Sequence, residues 1–141
     1  MKLFLSGHIV AAGNISRQVV ESIALALVCS GKDLPILARF MKGEYSTNRA
    51  VHDVWRHRKK LGLNDGVESL RTTQKFYDNY SHPTPLTITT IMSFSEDGAY
   101  VGASFDKEKI EEYKKEVNGR VGLARIFPNF VDGIIANIAK W

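Results

Sequence analysis

The sequence has a single cysteine, no long apolar run and no motif that fixes a reaction, and each absence excludes something. Cys29 lies alone in the apolar stretch IALALVCSG, so an internal disulfide and a cysteine metal site are both excluded, and a reducing cytoplasm is the natural expectation. The longest uninterrupted apolar run, Ile23 to Cys29, falls far short of the roughly 20 residues that cross a bilayer, so no membrane association is expected. The opening MKLFLSGHIV is interrupted by Ser6, Gly7 and His8 before it reaches the length of a signal core. The chain enters apolar sequence at once, which leaves two readings open: a very short N-terminus, or a fragment of a longer chain. The four histidines, His8, His52, His57 and His82, show no i, i+4 pairing. Asp53 and His57 stand four apart without further ligands, so neither metal nor cofactor is expected. No repeat, low-complexity tract or linker interrupts residues 1–141, which are expected to form one helical domain.

What is present is an ordinary globular composition, 141 residues with 44% hydrophobic and 24% charged content, enough to bury a core. A formal charge of +4 leaves polyanionic partners open without selecting them. From Ile15 the apolar positions Ile15, Val19, Ile23 and Leu27 recur at helical spacing and stop at Ser30-Gly31, which predicts one strong helix, with two readings of its start: at Ile15, or continuous with an earlier turn or two beginning near Leu3. Gly7, Ala11, Ala12 and Gly13 make its first half thin-walled, so a neighbouring helix can come close, and a homodimer is expected there. A short helix over Leu34 to Met41 follows, with Pro35 in its first turn. Ser46-Thr47-Asn48 offers a cap for a helix buried through Val51, Val54, Trp55 and Leu61, which Gly62 closes. Asn64-Asp65 starts the next, carrying Val67, Leu70, Tyr77 and Tyr80 up to Pro83.

After Pro85 the pattern changes. TIMSFSEDGAYVGASF alternates with period two, and an Asp97-Gly98 turn would set Phe94 opposite Val101 and Met92 opposite Ala103, a buried face. Asp106 then caps a helix expected to stop at Asn118-Gly119, followed by a last helix broken or restarted at Pro128. The expected fold is therefore mainly α, a helical bundle with one β-hairpin at about residues 91–105.

Two polar groups offer chemistry. On the helix ending at Pro83, Arg71, Lys75, Asp78 and His82 would form one stripe, with Asp78 orienting His82 as general acid or base and Arg71 and Lys75 holding a phosphate. The bland alternative is that His82 complements the helix C-terminus and packs on Pro83. Arg17 and Glu21 are four apart in the most apolar helix, either a structural ion pair or an Arg17 aimed at an anion. The run VWRHRKK concentrates Arg56 and Arg58 with three further basic residues at a helix end, where they could bind phosphates or simply complement the helix dipole.

Taken together, SGHIVAAGNISRQVVESIALALVCSG, the basic helix, FYDNYSHPT, GAYVGASFD and FPNF resemble an uncharacterised prokaryotic family of HEPN-like helical proteins. The resemblance implies a helical bundle that dimerises, with active relatives acting as metal-independent ribonucleases in toxin–antitoxin and phage-defence systems. Their signature, an Arg four to six residues ahead of a His, is absent: Arg49 precedes His52 by three, and Lys75 precedes His82 by seven. The expected function is a noncatalytic interaction or dimerisation module whose partner is a second copy or another protein. The alternative is a ribonuclease or RNA-binding protein.

Overall fold

The structure, a computed structural model, describes residues 1–63, 67–95, 98–103 and 105–141. It is a mainly α bundle with one two-stranded antiparallel hairpin. Helix α1 (Lys2–Leu5) is separated from α2 (Ile9–Ser30) by Gly7, whose φ of 82° is a left-handed turn that favours glycine. Helix α2 is the central rod. Its Val20, Ile23, Ala24, Leu27 and Val28 are buried among Leu34, Ile36, Tyr45, Val51, Val54, Val67, Leu70 and Phe130, so one apolar stripe organises the helices around it.

Helix α3 (Ile36–Met41) and a 3-10 turn (Thr47–Arg49) lead into α4 (Ala50–His57). Pro35 occupies the N-cap position of α3 without a side-chain cap, and Ser46 Oγ donates to Asn48 Oδ1 at 2.8 Å rather than capping a backbone amide. Helix α5 (Val67–Asp78) follows; its expected Asn64-Asp65 start lies outside the described residues. It ends five residues before Pro83, because Tyr80 leaves the helical path to enter a second cluster with Phe4, Ile9, Ala12 and Tyr77.

Residues 85–91, just ahead of the hairpin, form helix α6 (Pro85–Ile91). Thr84 explains it: its hydroxyl accepts from the Thr87 amide at 3.2 Å, and Pro85 fits the first turn without an amide to satisfy. Strands β1 (Met92–Ser95) and β2 (Gly98–Val101) then pair as Met92 with Val101 and Phe94 with Ala99. The register differs by two residues from the expected one, so the same side chains share a face. That face is not buried: Phe94 is 72% exposed and Val101 62%, so the hairpin stands off the bundle.

The expected stop at Asn118-Gly119 and the break at Pro128 are both overridden. One helix, α7 (Ile110–Ile138), runs for 29 residues through both, about 44 Å at 1.5 Å per residue. Asp106 caps the 3-10 turn (Lys107–Lys109) that leads into it, accepting from the Glu108 amide at 3.0 Å. Pro128 and Ala124, whose carbonyl the proline deprives of its amide donor, are both exposed, which makes the interruption tolerable. Only Glu116, Phe130 and Asn137 of α7 are buried.

Candidate functional site

Arg17 sits where α2 meets the corner after α5. Its Nε donates to Glu21 Oε1 at 2.9 Å, and its Nη1 donates to Ser81 Oγ at 2.7 Å, which in turn donates to Asn14 Oδ1 at 3.0 Å. Asp78 Oδ1 also lies 3.0 Å from Nε but off the direction of its N–H bond, so it adds a Coulomb contact rather than a hydrogen bond. Gln74 donates to Glu21 and to the Asn48 carbonyl. One guanidinium thus faces two carboxylates, and the cluster carries a net negative charge that disfavours a further anion. Arg17 is a clasp between α2 and the α5 corner.

The same clasp takes Asp78 away from His82. Because α5 ends at Asp78, Arg71, Lys75 and Asp78 share a helix and His82 lies beyond it, in an exposed bend. The expected four-residue stripe is therefore not formed. The His82 carbonyl accepts from Thr87 Oγ1 and from the Thr84 amide, both at 2.8 Å, whereas its imidazole has no hydrogen-bond partner among the described residues. Arg71 lies over the Trp55 ring at 5.9 Å, and Lys75 is exposed.

Arg58 is the other charged partner of that ring, 4.1 Å from its centroid, and donates to the Trp55 carbonyl at 2.9 Å. Arg56, Lys59 and Lys60 point outward. Near them a small cavity of about 170 Å³ gathers Lys32, Asp33, Lys60 and Lys140. Lys32 Nζ donates to the Lys140 and Trp141 carbonyls at 3.2 Å each, and Lys140 donates to Asn137 Oδ1. The C-terminal ends of α2, α4 and α7 converge here, so the lysines offset exposed helix carbonyls as the dipole requires.

A buried charged group that the sequence reading missed lies on α7. Glu116, 7% exposed, accepts from the Tyr80 hydroxyl at 2.9 Å and pairs with Arg120, whose side chain is 11% exposed. The Arg120 guanidinium is 4.8 Å from the Phe4 ring centroid and 5.4 Å from that of Tyr77. Burial, then the Glu116 carboxylate, pushes the Tyr80 phenol well above its ordinary pKa, so it remains a donor. Two apolar cavities flank this group. One of about 520 Å³ is lined by Phe76, Tyr80, Leu86 and Tyr113, the other of about 370 Å³ by Phe4, Phe105 and Ile110. Their size suits a small molecule, yet the buried charges between them are spent on one another.

Among the described residues an extended apolar surface is also left uncovered. Along the outer side of α7, Ala124, Phe127, Pro128, Val131, Ile135 and Ile138 are exposed, Ile135 at 60% and Ile138 at 53%. Exposed Ile15 and Val19 of α2 adjoin it, lining with Phe127, Val131 and Ile134 a groove of about 410 Å³. By length and composition the segment from Lys107 to Ile138 would suffice to cross a membrane, an outcome hidden while the helix was expected in two pieces. Among the described residues no group of three histidine, cysteine or carboxylate side chains is placed to hold a metal. Compared with known protein families, curated proteins and solved structures, the chain matches none.

Proposed function

We propose that this chain is a noncatalytic interaction module that docks through the outer face of α7 and the adjoining edge of α2. The observation that carries the reading is the continuous strip of exposed apolar side chains from Ala124 to Ile138 with Ile15 and Val19 beside it, because exposed apolar surface of that continuity marks interaction sites. Arg125 and Asp132, midway along α7, each cost about 2.5 to 3.5 kcal/mol at a bilayer centre, which favours a protein partner over lipid. Phe127→Asp places a charge in the groove at a side chain that is itself 45% exposed. It should sediment at the single-chain mass of 15.8 kDa with unchanged far-ultraviolet circular dichroism, whereas the wild type is heavier. A variant that keeps the wild-type mass contradicts the reading.

The exposed Arg56, Lys59 and Lys60 support a second reading, an RNA-binding protein or a HEPN-type metal-independent ribonuclease. Labelled RNA incubated with the protein and a chelator should remain intact, because neither Asp78 nor a buried cation attends His82. Cleavage that His82→Ala abolishes would establish the second reading instead.

A further inference from the structure

Between Val121 and Ala139, α7 carries only two charged side chains, Arg125 and Asp132. Both are exposed, and neither has an ion-pair or hydrogen-bond partner among the described residues. They stand seven residues apart, about 10 Å along the axis, on the same side of the helix and too distant to pair with each other.

The exposed positions Ala124, Pro128, Val131, Ile135 and Ile138 recur at spacings of 4, 3, 4 and 3, the seam of a helix pair. Arg125 and Asp132 each follow a seam residue, so both lie on one flank of it. Phe127 and Ile134 lie on the other, toward Ile15 and Val19. This asymmetry discriminates between the two ways of pairing such a helix with its own copy. A parallel pair sets unlike flanks together and would place Arg125 and Asp132 against Phe127 and Ile134. An antiparallel pair sets like flanks together, which puts Arg125 of each copy beside Asp132 of the other. The seam residues then interleave, Pro128 level with Val131 of the second copy and Ala124 with its Ile135. The contact is self-complementary, the condition for a closed twofold dimer.

We propose that the chain forms a twofold antiparallel homodimer through α7, centred near Asn129 and Phe130 and held in register by two reciprocal Arg125–Asp132 pairs. The proposal rests on the reading of this face as a docking surface and specifies its partner as a second copy. The formal +4 per chain opposes association only weakly, because physiological salt screens it within about 8 Å.

Charge reversal tests it. Arg125→Glu sets two like-charge contacts in the dimer, and so does Asp132→Arg; each variant should dissociate about tenfold more readily. The double variant Arg125→Glu/Asp132→Arg restores both pairs with inverted sign and should return to near the wild-type constant. An equimolar mixture of the two single variants should yield a heterodimer tighter than either homodimer. Circular dichroism of these exposed-site variants controls for folding. If the wild type dimerises and Phe127→Asp is monomeric but the single reversals match the wild type, or the double variant is no better than the weaker single, the antiparallel arrangement is overturned and the docking face stands. If the wild type stays monomeric, both fall.

Discussion

Replacing Glu116 by alanine is expected to lower the unfolding free energy by about 3 to 5 kcal/mol, the usual cost of removing one partner from a buried ion pair. The reason is what remains behind. Arg120 Nη1 loses its carboxylate acceptor, Nη2 is already buried without a partner, and the Tyr80 hydroxyl loses the oxygen it donates to at 2.9 Å. The guanidinium would keep only the Glu116 carbonyl, at 3.1 Å, and the Phe4 and Tyr77 rings. At about 3 °C per kcal/mol for a chain of this size, the melting temperature should fall by about 10 °C or more at fixed protein concentration. Glu116→Leu/Arg120→Met removes both charges and should recover most of the loss, since an apolar pair avoids their desolvation. A single variant as stable as the wild type would mean that this group is solvated.

Gly13→Ala should also destabilise, against the usual preference. In an ordinary helix interior the change gains up to about 1 kcal/mol. Here an added Cβ would lie 2.5 Å from Tyr80 Cγ and 2.9 Å from Tyr80 Cβ. Tyr80 cannot swing aside, because its hydroxyl is tied to Glu116 and its ring packs on Phe76 and Tyr77. Overpacking of that kind costs about 1 to 3 kcal/mol, and with backbone-anchored Cβ in contact the upper end applies, a net loss of about 2 kcal/mol. Chemical denaturation of Gly13→Ala beside Gly122→Ala, whose added methyl meets nothing within 4 Å, separates the two effects: Gly122→Ala should be neutral or stabilising.

Gly13 is legible in the sequence in kind but not in detail. The small residues early in α2 do mark a close approach, but the element that uses Gly13 is Tyr80 of the same chain. Helix α2 was legible because its apolar period persists from Ile15 to Leu27 and a glycine ends it. Helix α7 was not, since Asn118-Gly119 and Pro128 are strong local stop signals, and only the tertiary setting overrides them. Cutting the helix there also separated Glu116 from Arg120, which share the four-residue spacing that made Arg17 and Glu21 visible. Arg125 and Asp132 are illegible as a set for the same reason, because their common flank exists only on an uninterrupted helix. The His82 stripe erred in the opposite direction, extending α5 to Pro83 although the burial of Tyr80 ends it at Asp78.

The central claim is that the outer face of α7 is covered by a second copy of the chain, and the solution mass of the wild type tests it most directly. Sedimentation equilibrium across the micromolar range should give twice the 15.8 kDa chain mass, falling toward the single mass on dilution. A mass that remains at 15.8 kDa up to the highest concentration would contradict the account.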